Sequence, residues 1–181
     1  DCSERGDLHA EVVCVISNKA DAFGLERARK HGIAAIHLDH RSFYGRYEYD
    51  SALVNTLQEF NVDLVILAGF MRIVTPVLLD AFPNRVMNIH PALLPSFPGL
   101  DAQKQAIEYG AKLSGCTVHF VDAGTDTGPI ILQTAVPILE DDTEESLAER
   151  IHHEEHKLYP AAIQLFAEGR LKVDGRRVII S

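Results

Sequence analysis

The sequence predicts an α/β fold: a Rossmann-like, mostly parallel sheet with helices on both faces, ending in a C-terminal hairpin. Two observations carry this. Short apolar runs alternate with helical patterns along most of the chain, as they do where helices cover a parallel sheet. The last stretch, LKVDGRRVII, has two β-rich runs flanking Asp174-Gly175, a turn pair suited to a hairpin.

Each element follows from its local pattern. EVVCVI (11–16) is a buried-strand run, followed by a helical pattern from Ala22 to a glycine cap at Gly32. AAIHL (34–38) is a second strand, and an amphipathic stretch runs from Tyr44 to Phe60. DLVILA (63–68) is the clearest strand. Thr75-Pro76 opens a short helix, since proline is tolerated in a first turn. The strand RVMNIH (85–90), a helix from Asp101 to Tyr109 and the strand CTVHFV (116–121) continue the alternation. IILQTAVPIL (130–139) is a long strand and Thr143 to Glu168 a long helix, with no linker or repeat, so residues 1–181 are expected to form a single domain.

Composition narrows the function. With 181 residues, 46% hydrophobic, the chain can fill one core. A net charge of -9 without clustered Lys or Arg argues against a nucleic-acid surface and leaves a small molecule as the expected partner. Cys2, Cys14 and Cys116 are odd in number and lack metal-ligand spacing, which fits a reducing compartment. The longest apolar run, Leu64 to Met71, is too short to span a bilayer, and the start DCSERGD is unlike a signal peptide. The expectation is a soluble, cytoplasmic protein without a membrane partner, either monomer or homodimer.

The polar residues at strand ends carry the chemistry. Asn88 and His90 lie two apart in NIHPALLPSFPG, so on a strand they share a face at its carboxyl end, where open α/β sheets bind ligands. The same pair could instead serve the following loop, whose prolines cannot donate. A second cluster, VDAGTDTGP (121–129), places Asp122 and Asp126 among glycines after a strand of the same sheet. A carboxylate beside His90 favours the charged ring, although Asp-Thr-Gly stretches also cap their own turns. Amide, imidazole and carboxylate together suit acyl transfer. No serine or cysteine sits in an elbow motif, so direct transfer between two bound substrates is expected.

NIHPALLPSFPGLDAQKQAI and GCTVHFVDAGTDTGPIILQ resemble the folate-dependent formyltransferases, and LAGFMRIVTP and EEHKLYP resemble their phosphoribosylglycinamide branch. The resemblance spans essentially the whole chain and implies the formyltransferase fold. It also implies transfer of the formyl group of 10-formyltetrahydrofolate to the amine of 5'-phosphoribosylglycinamide in purine biosynthesis. His90 is then the acid/base, Asn88 the donor to the formyl oxygen, and Asp126 the partner of His90 that helps order a proton-relaying water. Folate contacts are implied for Arg46, Met71, Arg72, Ile73, Val74, Leu79, Val86, Asn88 and Asp122, and substrate contacts for Pro91, His152 and Glu155. The apolar members of that set also suit ordinary core positions.

Two features stand apart. HHEEH (152–156) fits the inverted zinc-peptidase pattern H-x-x-E-H, but Glu168 and Asp174 are poorly placed as a third ligand, so no metal is expected. The family also opens with a strand and a glycine-serine-asparagine phosphate loop, whereas this sequence begins at DCSERGD, where that first helix should be ending. A preceding segment of roughly 15 to 20 residues, an apolar run then a Gly/Ser/Asn-rich turn, is expected from usual element lengths. Deformylation of formyltetrahydrofolate, or folate binding without transfer, are the alternatives.

Overall fold

A computed structural model describes Cys2, Ser3 and residues 5–181. The chain folds as two compact units: residues up to Ala10 with Ile66–Met71 and Val86–Ser181, and Glu11–Val65 with Arg72–Arg85. Each takes in more than one stretch of chain, which is why no linker is visible in the sequence.

In the second unit, β1 (Cys14–Ser17) pairs in parallel with β2 (Ala34–His37), and α1 (Phe23–Lys30) connects and packs on both. EVVCVI contributes only its second half to β1. α2 (Arg46–Glu59) packs on α3 (Pro76–Ala81), burying Tyr49, Leu53, Leu57 and Leu78. Asp50, also buried, accepts from the backbone N–H of Thr75, the residue that precedes α3, at 2.6 Å.

A six-stranded sheet in the order β3-β4-β5-β6-β8-β7 dominates the first unit. Its strands are β3 (Val65–Leu67), β4 (Val86–His90), β5 (Leu113–Phe120), β6 (Ile130–Pro137), β7 (Leu171–Asp174) and β8 (Arg177–Ile180). α4 (Ala102–Tyr109) and α5 (Glu144–Ala167) are its helices, and Leu147 and Ile151 of α5 pack with Cys116 and Val136 of the sheet. The α/β class and the C-terminal hairpin match the sequence pattern. The β4–β5 and β5–β6 ladders run antiparallel, and β6–β8 parallel. The segment between β4 and β5 leaves and re-enters the sheet at the same end, because His90 pairs with Thr117 while β5 begins four residues earlier at Leu113. It is an excursion and not a crossover.

β5 starts earlier than CTVHFV suggested because Gly115 does not end it. A Cβ there would strike the Thr134 carbonyl of β6, so glycine permits the close strand approach.

The Tyr159 hydroxyl of α5 lies within reach of the carbonyls of Leu67 (2.8 Å) and Met87 (3.0 Å), which share its one hydrogen, tying the helix to β3 and β4. Burial raises its pKa, which keeps the hydroxyl a donor. Tyr159→Phe should cost about 1–3 kcal/mol, by the usual cost of unpaired buried acceptors. Thermal unfolding should register this as a fall of roughly 2–4 °C in Tm per kcal/mol for a chain of this size.

Candidate active site

Asn88 and His90 stand on one face of β4, and the antiparallel register puts His119 opposite Asn88 and Thr117 opposite His90. Paired residues in such a ladder share a face, so four polar side chains form a rectangle at the carboxyl end of β4. A register shift between Val118 and His119 in the β5–β6 ladder lies beside it, a local irregularity of the kind that re-aims side chains near sites.

His90 is buried, and its Nε2 lies 2.8 Å from the Phe97 carbonyl, which can only accept. Nε2 therefore carries a hydrogen. Nδ1 faces Asp126 Oδ2 at 3.4 Å, and this contact holds a hydrogen only when the ring is protonated on both nitrogens. Asp126 Oδ2 also accepts from Gly99 N at 2.8 Å. The Ser-Phe-Pro-Gly segment thus braces both the imidazole and its carboxylate.

His119 was missed by the sequence reading. Its Nδ1 lies 2.9 Å from the Phe120 carbonyl and must donate, leaving Nε2 to accept from Asn88 Nδ2 at 3.3 Å. This fixes which end of the Asn88 amide is NH2 and leaves one amide hydrogen without a protein partner among the described residues. Asp126 Oδ1 is 3.7 Å from the same Nε2. Burial pushes the His119 pKa below its usual value, with the Phe120 carbonyl and Asp126 pulling the other way. The signal was available in CTVHFV, where Thr117 and His119 alternate with apolar residues and so face the opposite side.

The sign of that shift predicts a pH effect. As pH falls through the unfolded value of about 6.5, the unfolded chain takes up a proton at this ring before the folded chain does, so the fold loses stability. Denaturant unfolding between pH 7.5 and 5.5 should show a shallower loss in His119→Gln than in the natural chain. An equal or steeper loss would assign the effect elsewhere.

Thr117 and Gln133 hold the loop that follows β4. Thr117 Oγ1 donates to Ala92 O at 2.7 Å and accepts from Leu94 N at 3.1 Å, while Gln133 Nε2 reaches Leu94 O at 2.9 Å. β5 and β6 thereby meet the loop's backbone at Ala92 and Leu94, while His90 serves the loop further on at the Phe97 carbonyl.

The other sequence candidates are distributed. Asp122 is spent on its own turn, accepting from Gly124 N at 3.0 Å and Thr127 Oγ1 at 2.7 Å, and makes no bond to His90. Pro91 directly follows β4, Val86 is buried, and Met71 is exposed. On α5, His152 Nδ1 lies 3.0 Å from Glu155 Oε2, and the His152 and His156 rings lie 4.1 Å apart. Among the described residues no group of three such side chains could hold a metal ion. In the second unit Arg72 stacks over the Tyr49 ring at 5.0 Å, Arg46 opens α2 as an exposed residue, Val74 is buried, Ile73 is exposed and Leu79 is half-buried. Burial pushes the Cys116 thiol up to about 12, so it is an inert core group. No helix among the described residues is long and apolar enough to cross a membrane.

Comparison with known proteins bears on this geometry. The formyl transferase family model matches residues 1–163. The trifunctional purine biosynthetic protein adenosine-3 of Drosophila melanogaster is 51% identical over 162 residues, covering 90% of this chain. The chain spans only 12% of that relative's length. Phosphoribosylglycinamide formyltransferase of Escherichia coli is 43% identical over 98% of this chain and 87% of its own. The crystal structure of glycinamide ribonucleotide transformylase 1 from Symbiobacterium toebii superposes with a TM-score of 0.98 at 58% identity, covering 99% of this chain and 85% of that one. With a family model over most of its length and full-length relatives at this identity, the chain belongs to the formyl transferase family.

Proposed function

We propose that this chain transfers the formyl group of 10-formyltetrahydrofolate to the amine of 5'-phosphoribosylglycinamide, a cytoplasmic step of purine biosynthesis. The observation that carries this reading is the convergence of Asn88, His90 and Asp126 on one strand end, in a family that transfers formyl groups.

The residues divide the chemistry. As the amine nitrogen bonds to the formyl carbon, the carbonyl electron pair moves to oxygen, and the free amide hydrogen of Asn88 is the donor for that charge. When the bond from carbon to the folate nitrogen breaks, that nitrogen gains a proton and the attacking nitrogen gives one up. His90 supplies the first of these, while Asp126 keeps the charged ring in place and orders the solvent that carries the second away. His90 regains a proton from that solvent, so the proton count closes without a covalent enzyme intermediate, in keeping with the inert Cys116.

Pro91, His152 and Glu155 are assigned to the ribonucleotide, and Met71, Val86, Asn88 and Asp122 to folate. These assignments, and those of Arg46, Arg72, Ile73, Val74 and Leu79 to folate, rest on the resemblance to the family. Folate release followed by absorbance, with and without the ribonucleotide, tests the activity. Release that requires the ribonucleotide supports transfer. Release with free formate and no acceptor would make the protein a deformylase, and binding without release would make it non-catalytic.

A further inference from the structure

The geometry points to Arg176, in the turn of the C-terminal hairpin, as a positioning residue that holds the Asp126 loop in its working shape; this rests on the transfer reading above. Its Nη2 donates to the Thr127 carbonyl at 3.0 Å, across 49 residues of sequence. Arg177 bridges to Ile130, the first residue of β6, so the hairpin turn is fixed beside the end of the loop. Among the described residues, apart from the His90 ring, two donors from outside the loop hydrogen-bond to residues 123–127: Gly99 N on Asp126 and Arg176 on Thr127.

The loop needs such tethers. Asp126 sits at φ 54°, a left-handed conformation that aspartate tolerates at some cost. Gly128 approaches the Phe120 carbonyl so closely that a Cβ would collide with it. Thr127, between them, is held by its hydroxyl on Asp122 and by its carbonyl on Arg176. Losing the second hold frees the Thr127–Gly128 peptide to rotate, and the change passes through Thr127 to Asp126, moving the carboxylate away from His90 Nδ1. A cavity of about 330 Å³, whose lining includes Leu94, Pro98, Asp126, Gly128 and Arg176, gives the loop room to do so.

Because the hydrogen bond is solvent-exposed, its contribution is to geometry and little to stability. Arg176→Ala should leave Tm within a degree or so, lower kcat by roughly tenfold, the scale of a small misplacement near the chemistry, and change KM for either substrate by less than about twofold. Arg176→Lys should recover part of the loss, as should added guanidinium ion with Arg176→Ala. In an Asp126→Asn background Arg176→Ala should cost almost nothing further, since its effect runs through that carboxylate. Unchanged kcat in Arg176→Ala, or a full additional loss in the double variant, overturns the inference.

Amide hydrogen exchange separates this inference from the transfer reading. Gly99 N and the 122–128 segment should exchange faster in Arg176→Ala whatever the reaction is. If the natural chain fails to transfer formyl groups, faster exchange still supports the tether, and unchanged exchange rejects it.

Discussion

Asp126→Asn should lower kcat by about 10²–10⁴, the range of a lost acid/base contribution, while leaving folate affinity nearly unchanged. Asparagine is close in size and keeps an oxygen for Gly99 N, and it tolerates the left-handed backbone at this position. What it removes is the charge beside His90 Nδ1. Stopped-flow or steady-state folate release, paired with a folate titration by calorimetry, reads the two quantities separately. Turnover close to the natural level would sink the assignment of Asp126.

Asn88→Ala should lower kcat by about 10²–10³, the effect of removing one donor to a developing oxyanion. It also removes a partner of His119 Nε2, so a modest loss of stability accompanies it. The ratio of effects is the test. A kcat loss that follows the loss of Tm, and disappears at low temperature, would make Asn88 structural, whereas a kcat loss in a fully folded variant makes it the oxyanion donor.

Much of this was legible from residue order. Apolar runs and caps placed the α-helices and strands to within a few residues, since those depend on local periodicity, while the short 3-10 turn at His40–Ser42 went unread. Period-two spacing put Asn88 and His90 on one face without any structure. The side chains completing the rectangle were not legible in that way, because His119 joins Asn88 only through the antiparallel register of β4 and β5. A strand, a helix and a strand in sequence look the same whether the connection crosses the sheet or returns to the end it left. Nor does order alone separate the two aspartates of the second cluster. Asp122 turns back on its own loop while Asp126 faces the imidazoles, a difference set by a backbone angle. Arg176 lies 49 residues from its acceptor and leaves no local mark.

That backbone angle makes position 126 unusually exacting. A φ of 54° is readily taken by glycine, asparagine and aspartate, while β-branched and bulky side chains resist it. The contacts to His90 and Gly99 ask for a short side chain with negative charge. Only aspartate meets both conditions. Glutamate, the usual like-for-like exchange, keeps the charge but adds a methylene and loses aspartate's ease with the backbone, so here it is the more disruptive choice than neutral asparagine for the shape of the loop. A substitution table built on charge would therefore rank the variants at this position in the wrong order for folding, and one built on backbone preference would rank them in the wrong order for turnover.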